Sequence, residues 1–222
     1  MIFFDIDNTL IDYNASEKTA FTELMLRKCG ISINEEQYEY WHSISKVCFQ
    51  KFLDKELTFE EQGMKRISDF AHHCGIGTDN GNALQLFREY QSVLPEHWKL
   101  FDDVKPALSS LSGIRLGIIS NGKSSQQRQK LDITGIDDMF DTKVFSEDAG
   151  IAKPSAAIFR YAMKVSGESK EDIIYVGDNY ETDIVPCIEL GIRCFHICRD
   201  STIREHENQI STLKELAGFL TG

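Results

Sequence analysis

No apolar run in this 222-residue chain approaches the roughly 18 residues of a membrane-spanning helix, so none is expected. The first residues lack the basic start, leader-length apolar run and cleavage site of a secretory signal. Positive charge is short: 24 Lys and Arg face 35 Asp and Glu, for a formal net charge of -11. Unaided binding to a nucleic-acid polymer needs clustered cations, and that class is set aside. A phosphorylated small molecule is not excluded, because one metal ion reverses the local field. The six cysteines (Cys29, Cys48, Cys74, Cys187, Cys194 and Cys198) show no disulfide framework, and a reducing cytoplasm is the simplest fit. Cys194, His196 and Cys198 alternate along an extended segment. Three ligands so spaced do not converge easily on a tetrahedral ion, and they are read as packing residues. There is no internal repeat and no low-complexity run.

What is present is ordinary globular material, 41% apolar and 27% charged. The length suits one domain, or one domain carrying an insert. The opening "MIFFDIDNTLI" predicts a short buried strand over 2–6 that ends in a loop with two carboxylates. From Ser16 to about Leu94 the periodicity turns helical, with four apolar faces and no convincing strand. "HCGIGTDNG" is expected to be an exposed loop between the third and fourth helices. After Pro95 helices and short apolar strands alternate. Strands are expected at "IRLGIIS", near 143–145, at "DIIYVGD" and at "GIRCFHI", and "LKELAGFL" is a final helix. This alternation predicts an α/β fold: a Rossmann-like parallel sheet, covered on both faces, with an inserted all-helical cap. The core is then 1–14 and 96–222, and the cap 15–95.

Open α/β sheets bind ligands at the carboxyl ends of their strands. The first strand is followed by Asp5 and Asp7, with Thr9 close behind. The second is followed by Ser120, Asn121 and Gly122. Lys153 then leads into a helix through Pro154, and "GDNYETD" supplies Asp178 and Asp183. Each set alone is a turn or helix-start formula. Together they put four carboxylates, a hydroxyl and an ammonium at one edge, which is costly unless a cation or a reaction uses them.

That set suits phosphoryl transfer. Asp5 is placed to attack phosphorus and form an acyl phosphate. Asp7, two residues on, is placed to protonate the leaving alkoxide and then to deprotonate water. Mg²⁺ takes oxygen ligands, and Asp5, Asp178 and a backbone carbonyl supply them, with Asp183 holding a bound water or serving as a further ligand. Ser120, Asn121 and nearby backbone N–H groups face phosphate oxygens, and Lys153 offsets charge on nucleophile and phosphoryl group. Thr9 is a supporting residue. Tyr13, next after this loop, either packs the joint with the insert or meets the leaving group.

The series "DIDNT", "ISNG", "KP" and "GDNYETD", in this order, resembles the haloacid dehalogenase-like hydrolase superfamily, in the branch with a helical cap inserted after the first motif. The resemblance implies Asp5 as nucleophile, Asp7 as acid/base with its backbone carbonyl on Mg²⁺, Ser120 as phosphate binder, Lys153 as charge anchor, Asp178 as direct metal ligand and Asp183 as support. A dehalogenase would not need Asp7, so phosphoester hydrolysis is favoured. A phosphosugar mutase shares Asp7 and is the alternative within the family. "SNGKSSQQRQKL" and the opening stretch resemble nucleotidase-like members, which points to a nucleoside 5'-monophosphate or a similar small phosphorylated metabolite. A receiver domain would be about half this length and carry no helical insert. A dead, cap-mediated binding protein would have lost Asp5, Asp7 or Asp178.

Overall fold

The structure is a computed structural model that describes residues 1–199 and 206–220. The chain divides into two compact units, one of residues 1–13 with 98–222 and one of residues 14–97. In chain order the elements are β1 (Ile2–Phe4), α1 (Tyr13–Cys29), α2 (Glu35–Leu53), α3 (Phe59–His73) and α4 (Asn80–Val93). Then come α5 (Val104–Ser110), β2 (Leu116–Ser120), α6 (Ser124–Thr134), β3 (Thr142–Phe145), α7 (Ser146–Ala149) and α8 (Ala156–Ser166). The last are β4 (Ile174–Gly177), α9 (Val185–Leu190), β5 (Arg193–Ile197), β6 (Gln209–Ile210) and α10 (Leu216–Leu220).

The α/β fold is the expected one. All pairings in the six-stranded sheet are parallel, in the order β3-β2-β1-β4-β5-β6. A parallel sheet is covered on both faces, so its strands run continuously apolar rather than alternating. That is why "IFF" and "LGIIS" are buried at every position. Phe3, Ile119, Ile158, Phe159 and Tyr175 belong to the core cluster on one side. The order reverses beside β1, whose neighbours are β2 and β4, and such a reversal opens a crevice at the strands' carboxyl ends. Phe4 pairs with Val176, and the Asp5 N–H donates to the Val176 carbonyl at 2.9 Å. Asp5 and Asp178 thus leave adjacent strands side by side.

Several elements differ from expectation: β1 ends at Phe4 rather than at residue 6, and the short helices α7 and α9 are not among the elements expected. β6 was not legible, being two residues long. Asp79, expected in a loop, is the N-cap of α4 and accepts from the Asn82 N–H. The final helix is split into a 3-10 turn, Leu213–Glu215, and the short α10.

In the helical unit, α2 and α3 both begin with capping boxes, Asn34 with Gln37 and Thr58 with Glu61. Phe21 stacks on Trp41 at 3.8 Å between centroids, and Phe70 meets Phe21 edge-on at 4.9 Å. Arg66 is buried above Trp41 and donates to Glu17 at 2.9 Å and to Ser45 at 2.6 Å. Trp41 and Phe87 are core residues here.

The first and last parts of the core unit meet at a clamp. Arg199 donates to both oxygens of buried Asp103 at 2.8 and 2.7 Å, and to the Thr9 carbonyl. Asp103 also accepts from the Thr212 hydroxyl and the Leu213 N–H, each at 2.6 Å. Burial pushes the Asp103 pKa up, but the bonds from Thr212, Arg199 and Leu213 outweigh it and hold the carboxyl below its ordinary value. A lowered folded pKa gives stability that is present above the unfolded value, near 4, and is lost as pH falls through the folded one. Asp103→Asn should cost about 1–3 kcal/mol at neutral pH and flatten the acid limb of the stability profile, as read by urea melts from pH 7 to 3.

Candidate active site

The loop after β1 turns sharply. Asn8 sits at φ 58, its N–H donates to the Ile11 carbonyl at 2.7 Å, and the N–H groups of Leu10 and Ile11 return to the Ile6 carbonyl. Asparagine tolerates this left-handed conformation better than most side chains. Thr9 is fully buried inside the turn, where its carbonyl takes the Arg199 bond.

Asp5, Lys153, Asp178 and Asp183 come together at the crevice. Lys153, 3% exposed, donates from Nζ to Asp5 Oδ1 at 2.7 Å, Asp183 Oδ1 at 2.6 Å and the Tyr175 hydroxyl at 3.0 Å. Tyr175 lies within hydrogen-bond reach of Asp183 Oδ1 at 2.8 Å and of the Ile119 carbonyl at 3.1 Å. Asp183 Oδ2 accepts from the Asn179 N–H at 3.0 Å. Asp183 projects from a five-residue π-turn, Tyr180–Ile184, directly after Asp178 and Asn179. Its side chain lies over Gly177, where a Cβ would come within 2.4 Å of its carboxyl carbon. The glycine of "VGD" is therefore a packing requirement.

The charges do not balance. Burial raises the Asp5 pKa, Lys153 lowers it, and the nearby Asp183 and Asp7 raise it again, to about 6. Burial, then repulsion from Asp5 and Asp183, pushes Asp178 up to about 8. Burial opposes the charge on Lys153, but Asp183 and Asp5 outweigh it and hold the ammonium above its ordinary pKa. Asp5, Asp178 and Asp183 each offer an oxygen, all within 4.8 Å of one another, and no other such group occurs among the described residues. Both oxygens of Asp183 are already bonded, whereas Asp178 pairs with no cation among the described residues. A hard divalent cation fits this set, with Asp5 and Asp178 as the most open carboxylates.

Asp7 stands apart from that cluster. Lys130 Nζ donates to its two oxygens at 2.6 and 2.8 Å, and Gln127 Nε2 lies 3.1 Å from Oδ2. The same Gln127 nitrogen lies 2.9 Å from Ser120 Oγ and 2.9 Å from the Asn121 carbonyl. Asn121, expected to hold phosphate, has both amide atoms engaged by the main chain of Lys153. Its Nδ2 donates to the Lys153 carbonyl and its Oδ1 accepts from the Lys153 N–H, each at 2.9 Å. It fixes the turn that carries the ammonium. Tyr13 has its ring under Lys130, 4.5 Å from Nζ. Residues 194, 196 and 198 do not form a metal cluster: Cys194 is buried in the core, and His196 Nε2 donates to the Asp178 carbonyl at 2.8 Å. Sequence reasoning missed Lys130, Gln127 and Tyr175, and read His196 only as a packing residue. The one available signal was that "QQRQKL" places Gln127 and Lys130 three apart on a helix that follows "SNG".

The family model of haloacid dehalogenase-like hydrolases matches residues 1–191. A pyrimidine 5'-nucleotidase of Escherichia coli, YjjG, is 28% identical over 86% of this chain and 82% of its own. A glyceraldehyde 3-phosphate phosphatase of Methanocaldococcus jannaschii is 30% identical over 86% of this chain and 81% of its own. The magnesium-bound structure of the HAD-hydrolase YfnB from Bacillus subtilis superposes with a TM-score of 0.87 at 25% identity, covering 100% of this chain and 98% of that one.

The Gly177 contact makes a direct test. Gly177→Ala should displace Asp183 and with it Lys153. We expect the variant to lose about 1–3 kcal/mol of stability by thermal melting and most divalent-cation binding by calorimetry.

Proposed function

The chain belongs to the haloacid dehalogenase-like hydrolases, and from that premise we propose a Mg²⁺-dependent phosphomonoester hydrolase that works through an aspartyl phosphate on Asp5, with a nucleoside 5'-monophosphate as substrate. Its relatives are phosphatases, and it is an enzyme of that class. The observation that carries the reading is the separation of the two loop carboxylates: Asp5 lies with Lys153, Asp178 and Asp183, while Asp7 is held on Lys130 and Gln127.

In the first step an Asp5 oxygen attacks phosphorus, the bond to the leaving oxygen breaks, and Asp7 gives that oxygen a proton. In the second step Asp7 takes a proton from water. The water oxygen attacks phosphorus, and the bond to Asp5 breaks. Lys153 neutralises Asp5 and the phosphoryl oxygens beside it, and Ser120 Oγ is a phosphate donor. Asp5, Asp178 and the Asp7 main-chain carbonyl would hold Mg²⁺, which supplies charge neutralisation and fixes the phosphate. Asp183 supports the site by fixing Lys153.

The nucleotide assignment rests on similarity to the E. coli nucleotidase, and the similarity to the glyceraldehyde 3-phosphate phosphatase sets its competitor. The test is phosphate release from nucleoside 5'-monophosphates, sugar and triose phosphates and an aryl phosphate, with Mg²⁺ and with chelator. Release should be greatest from nucleotides and vanish with chelator. Asp5→Asn should lower turnover by about 10³-fold or more. Asp7→Asn should lower it by about 10²-fold or more and leave phosphorylated protein detectable by mass spectrometry. Hydrolysis that survives chelation, or an active Asp5→Asn, would refute the mechanism. Isomerisation of a sugar phosphate without release would make the enzyme a mutase.

A further inference from the structure

Lys130 is a buried ammonium for which the two-step scheme has no use. It lies on α6 and is 2% exposed, whereas the Asp7 side chain it serves is 27% exposed. The cation is therefore the more deeply buried partner, the reverse of a surface ion pair in which a lysine snorkels to water. Its Nζ reaches both Asp7 oxygens, and no other carboxylate among the described residues pairs with it. Two aromatic rings flank it, Tyr13 at 4.5 Å and Trp98 at 5.7 Å from Nζ to centroid. These are the last residue of the core unit before the inserted segment and the first after it. Gln127, one turn back on the same helix, joins Asp7 to Ser120.

A general acid works only if its proton points at the leaving oxygen when the bond breaks. A carboxyl group two residues past the nucleophile, on a tight loop, has a side chain free to swing. Because Nζ reaches both oxygens, either one can carry the proton while the other stays anchored. We infer that Lys130 is a positioning residue that, with Gln127, fixes the Asp7 carboxyl group for proton transfer to the leaving group. The inference rests on the phosphatase reading above and assigns Lys130 no contact with substrate.

The role has a signature that a merely structural lysine would not give. An alkyl leaving group needs a proton, whereas p-nitrophenolate leaves with little help. The experiment measures kcat/KM of wild type, Lys130→Met and Lys130→Gln on two esters, the wild type's best alkyl phosphate and p-nitrophenyl phosphate. The Gln variant keeps a donor on a shorter stem and is carried alongside in case the Met variant does not fold. We expect the alkyl ester to lose about 10²-fold and the aryl ester less than about tenfold. Equal losses on both esters, or none on either, would overturn the role of Lys130. If the wild type hydrolyses neither ester, or Asp5→Asn remains active, the phosphatase reading itself fails.

Discussion

The site depends on one buried ammonium. Lys153 lies between Asp5 and Asp183, with the Tyr175 hydroxyl as its third partner. Removing a lysine and two carboxylates from water is expensive, and attraction repays the cost only when geometry and hydrogen bonds are nearly complete. The surroundings supply that completeness. Asn121 grips the Lys153 main chain on both sides, Tyr175 lies within hydrogen-bond reach of β2 through the Ile119 carbonyl, and the Asn179 N–H holds the free oxygen of Asp183. Such a cluster adds little net stability compared with apolar packing.

Three of the four carboxylates are divided between two cations. Lys153 takes Asp5 and Asp183, and Lys130 takes Asp7. Asp178 is left with an elevated pKa, and that excess of negative charge is what a divalent cation would relieve. The division also answers why two like charges sit two residues apart on one loop. They point into different environments, one beside the strand ends of β4 and one against α6, and each has its own counter-charge.

Much of this was legible because parallel sheets write themselves plainly. Fully buried strands run apolar, and polar residues directly after them mark the carboxyl edge. The α/β fold and the residues at that edge follow from "IFFD", "GIISNG" and "IYVGD". What stayed hidden is contact between distant segments. Lys130 reads as part of the polar face of a helix, since nothing local distinguishes a buried lysine from a solvated one. Tyr175 reads as an ordinary strand aromatic, because its hydroxyl partners come from β2 and from a turn eight residues on. Asn121 belongs to a turn formula, and only its reach across to Lys153 shows what it holds. β6 falls below the length at which periodicity carries any signal.

Topology explains why the insert is tolerated beside so exacting a cluster. β1 contributes the Asp5 loop and is flanked by strands that come much later in the chain, so the core cannot close until the inserted segment has been passed. The entropy of closing a loop grows only with the logarithm of its length, so a long insert costs little more than a short one. The sensitive part is the geometry of its two ends. Those ends are joined within the core unit: the Asp12 N–H donates to the Lys99 carbonyl at 2.9 Å, the Phe101 N–H to the Leu10 carbonyl at 3.1 Å, and Ile11 bridges Leu100. This ribbon fixes the exit and return of the chain five residues beyond Asp7. The loop that carries both carboxylates is thus pinned by β1 on one side and by the ribbon on the other.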